Sequence, residues 1–221
     1  MKTYLVIGAG PGIGLATAQK FAAEGYRVVL AARAENKLRD AIAVLNEKGA
    51  NVAFATVDAS DPHAVEQLIR QFGDDLAVVH YNAGVLHYDA TGALRTAPLE
   101  SESVQSLQTE ATINLVSALA AVKAARESFA HRGGTILLTG GGFGIEPTAS
   151  FINISVAKAA LRAAAKALFE PLRAINVHLA TVTVATLVSP DSERSREIGA
   201  TFWELHSQPE QAAWDWEKIV N

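Results

Sequence analysis

Four glycines fall within seven residues, Gly8-Ala-Gly-Pro-Gly-Ile-Gly14. Before them runs a short apolar stretch, Tyr4-Leu-Val-Ile7, and after them Ile13, Ala16, Thr17 and Phe21 recur at helical spacing. Between a strand and a helix, glycines let the backbone turn tightly and approach an anion, and the first N–H groups of the helix are free to bind it. The spacing is not G-x-G-x-x-G: counted from Gly8 the last position is Ile13, and from Gly10 it is Leu15. G-x-x-x-G-x-G fits, on Gly8, Gly12 and Gly14. With Gly10 and Ile13 between them, these residues read as the pyrophosphate cradle of a dinucleotide.

Other side chains extend that chemistry. Arg33 follows Ala31-Ala32 at the end of the next apolar run, where an NAD site usually carries an acid for the adenosine ribose. A guanidinium there binds a 2′-phosphate that a carboxylate would repel, so Arg33 points to NADP(H). Asp58 either accepts from the adenine amino group or caps the turn Asp58-Ala-Ser-Asp-Pro62. Tyr81, His87 and Tyr88 flank Asn82-Ala83-Gly84. Histidine is a residue type suited to proton transfer, which makes His87 a candidate acid. Ser155 precedes Lys158 by three residues, which places both near one helix face.

The elements that must position these residues alternate. Strands are expected over Tyr4–Ile7, Tyr26–Ala32, Asn51–Val57, Leu76–Tyr81, Thr135–Thr139 and Ile175–Val184. Helical patterns lie between them, the longest from Glu102 to Ser128, with Ser155 to Phe169 next. Asp61-Pro62 is a clean helix start, a capping aspartate followed by proline at the first helical position. This order predicts an α/β fold, a doubly wound parallel sheet of Rossmann-like form. The whole chain, 1–221, reads as one domain. After about residue 190 the sequence turns polar and then offers Phe202, Trp203, Leu205, Trp214 and Trp216, which predicts a helical tail on the substrate side.

Bulk composition narrows the function classes. The chain has 221 residues, 49% hydrophobic and 19% charged, an ordinary globular balance. A net charge of −4 gives no basic footprint for nucleic acid. There is no cysteine, so thiolate chemistry and cysteine-bound zinc are excluded. The six histidines show no metal-binding spacing. No apolar run reaches the roughly 18 residues of a membrane span, and the amino end does not read as a secretory leader. A cytoplasmic protein acting on a small molecule is the expectation.

Taken together, these motifs resemble the short-chain dehydrogenase/reductase family over residues 3 to about 190. The ordered set is Gly8-x-x-x-Gly12-x-Gly14, Arg33, Asp58, Asn82-Ala83-Gly84, Asn114 and Lys158 in "ISVAKAAL". The resemblance implies a Rossmann sheet with nicotinamide near the ends of strands four and five. It also implies dimers or tetramers packed through two helices. It assigns Lys158 and Asn114 to the catalytic site, with Lys158 on the nicotinamide ribose. The family also works with a tyrosine four residues before the lysine, and with a serine. Here those positions are Ile154 and Gly141, which carry no proton and no hydroxyl. The family's Pro-Gly after the sixth strand is Val184-Ala185, with Ser189 as a diphosphate contact, and its seventh strand has no clear counterpart. Two functions remain open. One is an NADP(H)-dependent oxidoreductase using a substitute acid drawn from His87, Tyr88, Ser155 or Lys158, or a water. The other is a catalytically silent NADP(H)-binding sensor or partner-binding protein.

Overall fold

A computed structural model describes residues 1–209 and 214–221. Seven parallel strands form one sheet in the order β3-β2-β1-β4-β5-β6-β7. They are β1 (Thr3–Ile7), β2 (Arg27–Ala32), β3 (Val52–Thr56), β4 (Leu76–Tyr81), β5 (Gly134–Gly141), β6 (Val177–Val184) and β7 (Glu217–Val220). The order reverses between β1 and β4, so the crevice at their carboxyl ends is the place where ligands bind in such sheets.

Side chains alternate across the sheet because the strand period is two. Leu5, Ile7, Val79, Tyr81, Ile136 and Leu138 enter one buried cluster. Helices α3 (Pro62–Arg70), α5 (Ser117–Phe129) and α6 (Ile152–Arg173) cover that face. Tyr4, Val6, Val28, Leu30, Leu137 and Val182 enter the other cluster, beneath α1 (Ile13–Ala23), α2 (Arg39–Glu47) and α7 (Glu193–His206). Helices α1 and α7 approach closely: a Cβ on Gly199 would lie 2.9 Å from the Ala16 carbonyl oxygen. Asp61 caps α3 as expected, its carboxylate accepting from the N–H groups of His63 and Ala64.

Two expectations are corrected. The long helix from Glu102 is broken into α4 (Val104–Ala111), a π-helical turn over Thr112–Val116, and α5. Such turns favour functional sites because they re-aim one side chain, and this one carries Asn114. Among the described residues the tail is helical only in α7. A seventh strand does exist, since Glu217–Val220 pairs with Thr181–Val184 of β6. Glu217 anchors it by a bidentate pair with Arg162, at 2.7 and 2.6 Å, and by accepting from Thr183 Oγ1 at 2.6 Å. Part of the expected tail, 210–213, lies outside the described residues.

Candidate active site

The glycine loop lies where β1 ends. Gly8 has φ +83°, and a Cβ there would come within 2.3 Å of the Ala83 backbone, so only glycine lets β1 and the Asn82 loop meet. Gly10 and Gly12 are different: a Cβ on either would find no protein atom within 4 Å. Helix α1 starts at Gly12 with no side-chain cap and no acid in its first turn. The cradle is open, uncapped and uncharged, which fits a diphosphate.

Arg33 and Asp58 stand at the carboxyl ends of β2 and β3. Arg33 is exposed and has no ion-pair partner among the described residues. Asp58 is held below the usual carboxylate range by the Ser60 backbone N–H and hydroxyl and, more weakly, by the Arg33 charge. The two residues therefore share one surface beside the cradle.

Beneath the cradle runs a buried hydrogen-bonded chain that the motifs did not reveal. The Gly8 carbonyl can only accept, so Asn82 donates Nδ2–H to it, at 2.8 Å. Asn82 Oδ1 then accepts from Thr139 Oγ1 at 2.8 Å. With its proton spent, Thr139 Oγ1 accepts from His80 Nε2 at 2.8 Å. His80 Nδ1 accepts from the Tyr4 hydroxyl at 2.7 Å. Burial, with a smaller push from Lys158, drives the His80 pKa down to about 3, so the ring is neutral and carries one proton, as the chain requires. Every dipole points toward the glycine loop, and the Asn82 amide has one orientation.

Lys158 reaches the same strand end from α6. It is 9% exposed, and Nζ donates to the Thr139 carbonyl at 2.6 Å. Desolvation lowers its pKa to about 8. A Cβ built on Gly84 would lie 3.5 Å from Asn114 Oδ1 and 3.9 Å from Lys158 Nζ, so the three residues meet. Asn114 Oδ1 accepts from Val85 N at 2.8 Å, while its buried Nδ2 has no partner among the described residues. A buried donor left unpaired is uncommon in folded proteins.

A cavity of about 570 Å³ opens beside Lys158. Asn82, Gly84, Thr139, Gly141, Leu86 and Tyr88 are among the residues that line it. Ile154 and Phe143 complete an apolar wall. Among the described residues, the charged side chains in the lining are Lys158 and Glu146.

The short chain dehydrogenase family model matches residues 2–197. The chain belongs to that family. Among its relatives, 2,5-dichloro-2,5-cyclohexadiene-1,4-diol dehydrogenase LinX of Sphingobium indicum is 27% identical over 171 residues, covering 75% of this chain and 65% of that protein. The very-long-chain 3-oxoacyl-CoA reductase of Yarrowia lipolytica is 28% identical over 206 residues, covering 89% and 53%. The chain thus spans between half and two thirds of the length of these relatives. Among solved structures, a Rhodopseudomonas palustris short-chain dehydrogenase superposes with a TM-score of 0.87 at 24% identity, covering 100% of this chain and 98% of that one. A metagenomic short-chain oxidoreductase in complex with NADP gives 0.86 at 24%, covering 99% and 96%. These likenesses establish the fold.

Within this short-chain dehydrogenase fold, the expected site residues divide. Gly8, Gly10, Gly12, Ile13, Gly14, Asn82, Ala83, Gly84, Asn114 and Lys158 gather around the β1–β4 crevice, with Arg33 and Asp58 at its far end. Ser189 does not join them. Its side chain is exposed, one residue past the cavity wall, and its carbonyl accepts from Ser192 Oγ. Ser155 is fully buried and spends its hydroxyl on Thr148, with contacts at 3.2 and 3.4 Å, outside the cavity lining. His87 also lies outside the lining. Its Nε2 is 2.7 Å from Oε1 of Glu110, a carboxylate only 5% exposed. Asn153 Nδ2 then bridges Glu110 and Glu102, at 3.1 Å to each. This cluster ties the 85–98 loop to α4 and α6. Tyr88 does line the cavity, but it is 56% exposed and its hydroxyl has no partner among the described residues.

Sequence reasoning missed Glu146 and the Tyr4–His80–Thr139 chain. The signal for the chain was present as a histidine inside the apolar run Leu76–Tyr81. Glu146 carried no signal, because it sits in an irregular loop. Among the described residues no helix is long and apolar enough to cross a membrane, and no cluster of His, Asp and Glu could hold a metal.

Proposed function

We propose that the chain is an NADP(H)-dependent oxidoreductase acting on a small carbonyl, alcohol or related group. The observation that carries this reading is the open, uncapped cradle at Gly10 and Gly12 beside the unpaired Arg33 guanidinium. Arg33 would bind the 2′-phosphate and Asp58 the adenosine end. Gly10 to Gly14 would take the diphosphate on backbone N–H groups. Asn82, Ala83 and Gly84 would line the nicotinamide ribose, with Lys158 Nζ donating to its hydroxyls. The bound nicotinamide would supply hydride chemistry. Asn114 Nδ2 would gain the acceptor it lacks. Leu86, Leu94, Phe143 and Ile154 would exclude water from the substrate.

The exposed apolar side chains Val116 at the end of the π-helical turn, Leu119 on α5 and Val156 on α6 fit the expected packing of a homodimer or homotetramer. Ile154 and Gly141 favour a second reading, a catalytically silent NADP(H)-binding sensor or partner-binding protein. Calorimetric titration with NADPH and with NADH tests the shared premise. Binding at least tenfold tighter for NADPH is expected, and no binding of either would overturn both readings.

A further inference from the structure

A hydride-transfer site normally adds a hydride to carbon and a proton to oxygen. Here the residues that usually serve the second half are replaced. Ile154 has no transferable proton and Gly141 has no hydroxyl. Of the neighbouring groups that could replace them, Ser155 is engaged on Thr148, His87 on Glu110, and Thr139 Oγ1 on Asn82, while the unpartnered Tyr88 hydroxyl belongs to a side chain 56% exposed to solvent. Lys158 points its Nζ into the Thr139 carbonyl. The cavity instead sets a carboxylate, Glu146, into a mostly apolar wall. That carboxylate has no hydrogen-bond or ion-pair partner among the described residues and is free to meet a ligand cation.

We propose that the substrate is an organic cation of the iminium class, held with Glu146 as its counter-ion. Such a substrate needs no acid. The hydride from a reduced nicotinamide forms the new C–H bond, and the C=N π pair becomes the nitrogen lone pair. The iminium is reduced to an amine and the nicotinamide is oxidised to a pyridinium, with no proton moved. Glu146 supplies the opposite charge at the mouth, and Ile154, Phe143 and Leu86 cover the apolar remainder of the ligand.

This inference rests on the reading of the chain as a nicotinamide-dependent enzyme, and the two are tested separately. NADPH binding is first measured by calorimetry; failure there overturns the functional reading. Two further probes address the cavity. N,N-dimethyl-1,2,3,4-tetrahydroisoquinolinium is a permanent cation that cannot accept hydride, so it reports binding alone to the NADPH-loaded protein. The neutral ketone 1-tetralone has the same bicyclic shape. The cation is expected to bind at least tenfold more tightly than the ketone. Glu146→Gln should weaken the cation at least tenfold and leave the ketone unchanged. With NADPH, N-methyl-3,4-dihydroisoquinolinium should be reduced at least tenfold faster than without protein, and 1-tetralone should not. Glu146 is exposed and unpaired, so the variant should fold. NADPH binding with no preference for the cation, or no effect of Glu146→Gln, would overturn the assignment of an iminium substrate.

Discussion

Two glycine-rich loops face each other across the crevice, Gly8 to Gly14 and Gly140 to Gly144, and they use glycine differently. In the first, Gly8 is forced by the Ala83 backbone, while Gly10 and Gly12 look onto free space where a ligand fits. In the second, a Cβ on Gly140, Gly142 or Gly144 would meet Thr183, Ala185 or the Lys158 backbone at 2.8, 2.8 and 2.7 Å. Gly141 alone of these has tolerable room, with the Lys158 stem at 3.2 to 3.5 Å. Packing thus explains three glycines of the second loop but not Gly141. A side chain there would press on the Lys158 stem without meeting backbone. On the proposed reading, the first loop serves the cofactor, and the positions of the family's usual serine and tyrosine carry Gly141 and Ile154.

The strongest way to break this contrast is at Gly8. Gly8→Ala places a Cβ into the Ala83 backbone at a φ that disfavours side chains, and should weaken NADPH by 100-fold or more, about 3 kcal/mol, in a calorimetric titration. Lys158 offers a test by pH. Its folded pKa, about 8, lies below the ordinary 10.5, so between those values the unfolded chain binds more protons at this site. The cost of burying its charge is fully present below about pH 8 and is relieved as pH rises toward 10.5, by up to about 3 kcal/mol. The stability advantage of Lys158→Met over wild type in urea should therefore shrink across that window.

His80→Leu leaves the Tyr4 hydroxyl and the Thr139–Asn82 pair without their link. It should lower unfolding free energy by about 2 kcal/mol, read from the urea midpoint. Arg33→Ala should weaken NADPH by about 10- to 30-fold and NADH by less than threefold, because only the former carries the 2′-phosphate. Equal losses would remove that assignment. The smallest expected effect sharpens the contrast between the loops. Gly10→Ala should change stability by less than about 0.5 kcal/mol, since nothing surrounds the new methyl, while still obstructing the diphosphate.

Six of the seven strands were legible because buried parallel strands are continuous apolar runs, as in Val28-Val-Leu-Ala31 and Ile136-Leu-Leu138. The seventh was not. Glu217-Lys-Ile-Val220 is a short edge strand with two charged residues, and its pairing depends on Arg162 and Thr183, far away in sequence. The cofactor motif was legible because its residues are adjacent in the chain. The relay was not, since Tyr4, His80 and Thr139 meet only through the β1–β4–β5 register. His87 and Ser155 suited acid chemistry by residue type, and only their tertiary partners, Glu110 and Thr148, show them to be engaged elsewhere.

The central claim is that the protein keeps a nicotinamide cofactor site and lacks the family's usual tyrosine and serine. The most direct test compares wild type with the Gly141→Ser, Ile154→Tyr double variant in NADPH-dependent reduction of a panel of small carbonyls, with NADPH affinity measured for both. Affinities within threefold of each other, with carbonyl reduction at least tenfold faster in the double variant, are the predicted result. Carbonyl reduction by the wild type at a rate that the double change does not raise would contradict the account, because an acid would then already be present in the cavity.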